Sequence, residues 1–99
     1  MFLVRVGAAA LNQTPLDWEG NRARIEAAMT QARAAGVSIL CLPELAISGY
    51  GCEDAFHSSG LHETAFTMLE EIAAKTAKMV VAVGLPLYHN RALYDAVCL

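Results

Sequence analysis

The one carboxylate in a long apolar stretch is the first residue that suggests chemistry. Residues 40–51 read LCLPELAISGYG, in which Glu44 is flanked by Leu42, Leu45 and Ile47. A carboxyl group that is partly removed from water has its charged form disfavoured, so its pKa rises toward the range that is useful to a general base. One interpretation of Glu44 is therefore a general base.

A structural role for Glu44 is the alternative. In that case its side chain points into solvent or pairs with an arginine such as Arg22 or Arg24. The spacing of these residues along the chain leaves both roles open.

Cysteine and histidine chemistry has less support. The three cysteines are odd in number and have no CxxC spacing, so we expect reduced, buried packing residues: Cys41, Cys52 and Cys98. The groups that lower the pKa of a thiol are missing near the first two, which argues against a nucleophile there. The three histidines have no i, i+4 spacing and form no metal-ligand set, and we expect them on the surface or in turns: His57, His62 and His89.

The composition is typical of one small globular domain. Of the 99 residues, 56% are hydrophobic and 17% are charged, which is too apolar for disorder and too interrupted for a membrane span. The formal net charge is -3 and no lysine and arginine cluster could follow a phosphate backbone, so neither nucleic acid nor a membrane is an expected partner. The opening apolar run is interrupted at Arg5, too early for a secretory signal, and a cytoplasmic location is expected.

Predicted strands and helices alternate along the chain. Apolar runs predict four strands, at residues 2–11, 37–42, 79–85 and 93–99. Helical periodicity predicts two helices, at about residues 18–35 and 59–76. Between the regular elements, the sequence predicts a short helical turn at residues 53–56 and a turn that reverses the chain at residues 86–91. Asp17 is the expected N-cap of the first helix, and Gly36 is its expected stop.

Each predicted helix has one apolar face. In the first helix this face consists of Ile25, Ala28, Met29 and Ala32. In the second helix it consists of Leu61, Ala65, Met68, Leu69 and Ile72. On the exposed face of the second helix, Glu71 and Lys75 are expected to form an i, i+4 ion pair. The order β-α-β-α-β-β predicts an α/β layered fold, in which helices cover a largely buried sheet.

The ends of two predicted strands indicate where a site could lie and how the domain continues. Pro43 ends the second strand, so Glu44 lies in a loop at the carboxyl end of a strand, where ligand and catalytic groups of α/β sheets cluster. The last strand stops at Leu99 without a turn or a polar tail. We therefore expect residues 1–99 to be the N-terminal portion of a longer domain, truncated at its C-terminus, whose exposed edge needs a partner.

Several motifs resemble one enzyme superfamily. The sequence LPEL at residues 42–45, followed by SGY at 48–50, resembles the first catalytic motif of the nitrilase (carbon-nitrogen hydrolase) superfamily, whose members use a glutamate, a lysine and a cysteine on an αββα sandwich. Further segments look like the glutaminase domains of glutamine-dependent NAD+ synthetases: residues 10–14 leading to Asn21, residues 49–54, and residues 84–86 with 93–95. The similarity covers nearly the whole chain.

The resemblance implies a hydrolytic triad of which this chain holds one member. Glu44 matches the family's general base, which takes the proton from a nucleophilic thiol as it attacks the glutamine amide and then activates water against the thioester. The matching lysine and cysteine are expected beyond Leu99, so the isolated chain is expected to be inactive. Tyr50 is expected either to form a wall of the glutamine pocket or to be a packed aromatic with its hydroxyl at the surface.

The resemblance also implies ligands and partners. Glutamine is the implied substrate, and its ammonia would serve NAD+ synthesis from deamido-NAD+ in the full-length protein. ATP and Mg2+ are implied for a synthetase domain that this chain does not contain, with no cofactor or metal in the chain itself. The implied partners are the rest of the glutaminase domain, the synthetase domain and further copies in a homo-oligomer. The alternatives are another amidase or carbamoylase of the superfamily, or a non-catalytic α/β interaction module.

Overall fold

The computed structural model describes residues 3–99, and within them the elements follow the predicted order. The strands are β1 (Val6–Ala8), β2 (Ile39–Cys41), β3 (Val80–His89) and β4 (Ala92–Cys98). The helices are α1 (Trp18–Ala34) and α2 (Ser59–Ala73), with a short 3₁₀ helix at Glu53–His57. The first predicted strand is much longer than β1, and the start proposed for it at Phe2 lies outside the described residues.

The four strands form one sheet in the order β1-β2-β3-β4. The first three strands run parallel, and β4 returns antiparallel to β3. The register pairs Leu40 with Val81, and both are buried in one core with the helices. It also pairs Ile39 with Val80, and both of these are exposed. Both helices therefore cover the same face of the sheet, and the opposite face is apolar and uncovered.

The uncovered face explains where the cysteines lie. Cys41 follows Leu40 in β2, so its side chain points to the uncovered face and is exposed. The predicted burial was wrong for Cys41 because the strand has only one covered face. Cys52 is buried and Cys98 is half-buried, and all three thiols are free, as predicted.

The helices begin, end and pack largely as the sequence predicts. The Asp17 carboxylate accepts a hydrogen bond from the Gly20 N–H (3.1 Å) and caps α1, and Gly36 follows the helix with a left-handed φ of 75°. The predicted faces supply the fully buried apolar positions of both helices: Ile25, Met29, Ala32, Leu61, Ala65 and Ile72. The remaining predicted positions are half-buried: Ala28, Met68 and Leu69.

Ion pairs connect α1 with the region of α2 and do not run along α2. The predicted pair between Glu71 and Lys75 does not form. Glu71 instead accepts from Arg22 of α1 (2.5 Å), and Lys75 binds Glu26 of α1 (2.7 Å). The reason is that α2 ends at Ala73, so Lys75 lies beyond the last helical turn and has no i, i+4 geometry to Glu71.

The hairpin between β3 and β4 differs from the prediction. The chain does not turn at Pro86, because β3 continues through it to His89 and the turn is made by Asn90 and Arg91, with φ values of 49° and 64°. The neighbouring strand β2 ends opposite Ala82, so the later part of β3 bonds to β4 on one side only. A proline is tolerated there because its missing N–H faces no partner strand.

Candidate active site

Glu44 lies at the start of a tight loop after β2. The loop leaves the sheet where the Leu42 N–H donates to the Ala82 carbonyl (3.0 Å). Leu45 then adopts a left-handed φ of 49°, and the chain reverses so that Leu45 and Ile47 are buried while Glu44 is exposed. The apolar neighbours of Glu44 face the core and not its carboxyl group. The predicted desolvation of Glu44 was wrong for this reason.

A glycine in β3 lets this loop lie directly on the sheet. A Cβ built at Gly84 would lie 2.6 Å from the Leu45 nitrogen and 2.9 Å from the Pro43 carbonyl oxygen. The Gly84 carbonyl accepts a hydrogen bond from the Ile47 N–H (3.2 Å). A side chain at this position would displace the loop that carries Glu44.

A buried asparagine of α1 holds the same loop from the helix side. Asn21 is fully buried, and its amide nitrogen donates to the carbonyls of Thr14 (2.8 Å) and Ile47 (3.2 Å). Its amide oxygen accepts from the Thr14 N–H (2.9 Å) and from Arg24 (2.7 Å). Each polar atom of this side chain is paired, and together they join the loop before α1 to the loop after β2.

Gln13 makes a second connection between the two loops. Its amide nitrogen donates to the carbonyls of Ala46 (2.7 Å) and Asn21 (3.1 Å). Its amide oxygen accepts a hydrogen bond from Arg24 (2.8 Å). The loop that begins with Glu44 is therefore fixed from two sides, by β3 and by the polar residues around α1.

Neither arginine considered as a structural partner of Glu44 binds it. Arg22 pairs with Glu71 (2.5 Å), and Arg24 binds Gln13 (2.8 Å). The interpretation in which one of these arginines neutralises Glu44 is therefore wrong. The exposed carboxylate finds different partners.

Tyr50 contacts Glu44 directly. Its hydroxyl donates a hydrogen bond to Oε2 of Glu44, and its side chain is 64% exposed, so it is not a packed aromatic. The chain reaches this position through Gly49, which has a φ of 82° and lies where a Cβ would come within 2.6 Å of the Thr14 carbonyl oxygen. The structure thus brings the two predicted site residues together.

A second carboxyl group reaches Glu44 from β4. Asp95 pairs with Pro86 in the antiparallel register, two residues along β3 from Gly84. Alternate residues of a strand share a face, so Asp95 lies on the same face as the loop that packs on Gly84. The carboxyl groups of Asp95 and Glu44 act on each other, which lowers the pKa of Glu44 and raises the pKa of Asp95.

Two residues of this site were not predicted to have a role, although each left a signal in the sequence. Asp95 interrupts the apolar run of the last strand, and aspartate is depleted in strands. Asn21 precedes Ile25 by four residues and so places an amide on the apolar face of α1. For Asn21 the signal is a polar residue on a helix face that is otherwise buried, and for Asp95 it is a charged residue within an apolar strand.

Contacts within the site shift the pKa values of Glu44, Tyr50 and Asp95. The contact with Asp95 and then that with Tyr50 lower the pKa of Glu44 below its ordinary value, against a smaller opposing effect of burial. The hydrogen bond with Glu44 raises the pKa of Asp95, and the hydrogen bond and charge of Glu44 raise the pKa of Tyr50. The prediction of a raised pKa for Glu44 was therefore wrong.

A small cavity opens beside the carboxyl pair. Its volume is about 230 Å³, and it is lined by Leu45, Phe56, Pro86, Leu93, Tyr94 and Asp95. A larger groove of about 480 Å³ lies along β1 and α1, but none of the residues that line it belongs to the Glu44 loop. The smaller cavity lies next to the site, because Leu45 and Asp95 are among the residues that line it.

The three histidines make no hydrogen bond to Glu44 or Tyr50 in the part of the chain that the structure describes. His57 and His89 are exposed, as predicted, but His62 is half-buried, with Nε2 2.7 Å from the Phe56 carbonyl oxygen and its ring 5.5 Å from that of Tyr88. The surface prediction was wrong for His62 because β3 extends far enough for Tyr88 to cover it. Residues 3–99 contain no group of three or more histidine, cysteine or acidic side chains that could hold a metal ion. Over the same range, no helix has the length and apolar character needed to cross a bilayer.

Comparison with known proteins assigns the family. Residues 5–99 match the carbon-nitrogen hydrolase family. The chain belongs to this family. The carbon-nitrogen hydrolase chain also superposes on the crystal structure of a glutamine-dependent NAD(+) synthetase from Cytophaga hutchinsonii, with a TM-score of 0.93 and 48% sequence identity. That superposition covers 96% of this chain and 16% of the other, which confirms the predicted fold as part of a nitrilase-type structure.

The similar proteins are much longer than this carbon-nitrogen hydrolase chain. A glutamine-dependent NAD(+) synthetase from Arabidopsis thaliana is 34% identical over 97 residues, which is 96% of this chain and 13% of that protein. A glutamine-dependent NAD+ synthetase from Acinetobacter baumannii, determined in complex with ADP, shares the fold with a TM-score of 0.75 at 19% identity, over 92% of this chain and 18% of its own. The chain thus spans a small part of the proteins that it matches.

Proposed function

We propose that this chain is the N-terminal part of a glutaminase domain and that the full-length protein is a glutamine-dependent NAD+ synthetase. The observation that carries the proposal is Glu44, an exposed carboxylate at the carboxyl end of β2 that accepts a hydrogen bond from the Tyr50 hydroxyl. The 48% identity to the Cytophaga protein supports the choice of substrate class. The uncovered apolar face of the sheet supports the presence of further chain that packs on it.

Glu44 acts as the general base in this proposal. Its carboxylate accepts the proton of a cysteine thiol as the sulfur attacks the side-chain amide carbon of glutamine. The proton passes to the departing nitrogen, ammonia leaves, and a thioester remains. Glu44 then takes a proton from the water that attacks the thioester, which releases glutamate and restores the thiol. A lysine stabilises the oxyanion in both steps.

The cysteine and the lysine come from residues outside this chain. Cys41 and Cys52 are not assigned to the role, because Cys41 lies on the uncovered sheet face and Cys52 is buried with its thiol directed to the Ser48 carbonyl (3.4 Å). Without the cysteine thiol, Glu44 has no thiol proton to accept, and no thioester can form. The isolated 99-residue chain is therefore expected to release no ammonia from glutamine.

Tyr50 forms one wall of the glutamine pocket in this proposal. Its ring is exposed and its hydroxyl is held against Oε2 of Glu44, so the ring flanks the position where the amide must approach the base. The adjacent cavity, lined in part by Leu45 and Phe56, provides apolar surface for the aliphatic part of glutamine.

ATP and Mg2+ are assigned to a synthetase domain outside this chain. The ADP in the Acinetobacter protein supports nucleotide binding by proteins of that name. We further propose that the partners are the rest of the glutaminase domain and the synthetase domain, in a cytoplasmic homo-oligomer.

The function is tested with purified full-length protein, deamido-NAD+, ATP and Mg2+, and either glutamine or ammonium chloride as the nitrogen donor. NAD+ formation with both donors is the expected result. Release of ammonia from amides without NAD+ formation would assign the protein to the amidases or carbamoylases. A lack of both reactions would indicate a non-catalytic interaction module, and either of these results would overturn the proposal.

A further inference from the structure

The 3₁₀ helix between the Glu44 loop and α2 supplies one wall of the cavity beside the site. Phe56, in this helix, lines the cavity of about 230 Å³ together with Leu45 and Asp95. The helix begins at Glu53 with a left-handed φ of 51°, a conformation that residues with a side chain seldom adopt, and none of its residues is fully buried. Burial of its own side chains therefore does little to fix the position of Phe56.

His62 of α2 makes a side-chain contact with this helix. Its Nε2 lies 2.7 Å from the carbonyl oxygen of Phe56. A carbonyl oxygen can only accept a hydrogen bond, so Nε2 carries the proton and donates it. Nδ1 of the same ring is buried and has no hydrogen-bond partner within residues 3–99, so a proton on Nδ1 would be unpaired. Both observations favour the tautomer that binds the Phe56 carbonyl.

The ring of His62 is held in turn by β3. Its centroid lies 5.5 Å from that of the Tyr88 ring, and the two planes meet at 63°, which is a favourable edge-to-face geometry. Pro86 belongs to the same strand and lines the same cavity as Phe56. One strand therefore carries both a wall residue of the cavity and the residue against which His62 packs.

We propose that His62 is a positioning residue for glutamine binding, which holds Phe56 at the wall of the cavity through the hydrogen bond from Nε2 to the Phe56 carbonyl. This inference rests on the proposed function, in which the cavity receives the aliphatic part of glutamine. His62 acts on the cavity wall and not on Glu44. Loss of an interaction that supports the bound substrate and the transition state equally raises KM and leaves kcat unchanged.

The test is the KM for glutamine in NAD+ synthesis by the full-length protein, with kcat and the ammonia-dependent rate measured beside it. His62→Phe keeps a ring against Tyr88 but has no N–H donor, and it is expected to raise KM roughly fivefold with kcat retained, as the loss of one neutral hydrogen bond would do. His62→Gln places an amide nitrogen near the position of Nε2 and is expected to recover most of the loss. His89→Phe, at the exposed end of β3, is the control.

A double-mutant cycle tests whether the effect passes through Phe56. Phe56→Ala removes the ring from the cavity wall and is expected to raise KM by itself. Adding His62→Phe to this variant is expected to cause no further rise, because no ring remains for His62 to position.

Four results would overturn the assignment of His62. They are a KM in His62→Phe equal to that of the control, equal rises in the phenylalanine and glutamine variants, additive rises in the double-mutant cycle, and a parallel loss of ammonia-dependent synthesis, which would assign His62 a role in folding. In each of these cases the unsubstituted protein still makes NAD+ from glutamine. If it made NAD+ from ammonia alone, the proposed function itself would fail, and the inference with it.

Discussion

Gly84 of β3 lies so close to the backbone of Leu45 that a Cβ at Gly84 would come within 2.6 Å of the Leu45 nitrogen. Because Leu45 directly follows Glu44, the direction of the Glu44 carboxylate depends on the absence of a side chain in another strand. The same strand pairs with β4, which supplies Asp95. The β3 backbone thus connects the Glu44 loop with the strand that carries Asp95.

Gly84→Ala is expected to displace the Glu44 loop and to lower glutamine-dependent NAD+ synthesis by on the order of a hundredfold, since a shift of about 1 Å is sufficient for such a loss. The rate is measured in the full-length protein beside ammonia-dependent synthesis. The matched control is Gly60→Ala in the first turn of α2, where the built Cβ meets no atom closer than 3.6 Å. Equal glutamine-dependent rates in the two variants would show that the loop does not need this close approach.

Asn21→Ala is expected to destabilise the fold by on the order of 3 kcal/mol, because it empties a fully buried position and leaves the Thr14 N–H and the buried Ile47 carbonyl without their side-chain partner. The measurement is the urea midpoint of the transition that includes this domain. Asn12→Ala removes the same side chain from an exposed position and is the control. If both variants unfold at the same urea concentration, the Asn21 hydrogen bonds do not stabilise the loop.

Tyr50→Phe removes the hydroxyl that donates to Glu44 but keeps the ring. The pKa of Glu44 is expected to rise toward its ordinary value, so the acid limb of kcat/KM moves to higher pH. Tyr50→Ala removes the ring as well and is expected to raise the KM for glutamine. A pH profile of Tyr50→Phe that coincides with that of the unsubstituted protein would show that the hydroxyl does not act on the base, and an unchanged KM in Tyr50→Ala would remove Tyr50 from the pocket.

The element order and the helix ends could be predicted from the sequence because they depend on local signals. Apolar runs, the Asp17 cap and Gly36 act within a few residues of the elements that they define. The extent of β3 could not be predicted in this way, since Pro86 is tolerated only because β2 has already ended beside it. That condition depends on a strand some forty residues earlier.

The position of Glu44 in a loop after β2, with Tyr50 in the same loop, could be predicted, whereas the environment of the two side chains could not. The sequence around Glu44 is apolar, but the left-handed φ of Leu45 turns the apolar side chains to the core and leaves the carboxylate outside. The partner Asp95 reaches Glu44 through strand pairing, and its effect on the pKa of Glu44 is opposite to the one predicted from neighbouring residues. Charge at a site depends on contacts that are distant in sequence.

The ratio of glutamine-dependent to ammonia-dependent NAD+ synthesis in Glu44→Gln full-length protein tests the central claim most directly. Glutamine keeps the size of the side chain but cannot accept the thiol proton, so the glutamine-dependent rate is expected to fall by a factor on the order of a hundred to ten thousand while the ammonia-dependent rate survives. Glu70→Gln makes the same substitution at an exposed position of α2 and is expected to leave both rates unchanged. If the two rates of Glu44→Gln stayed near normal or fell in parallel, Glu44 would not be the general base.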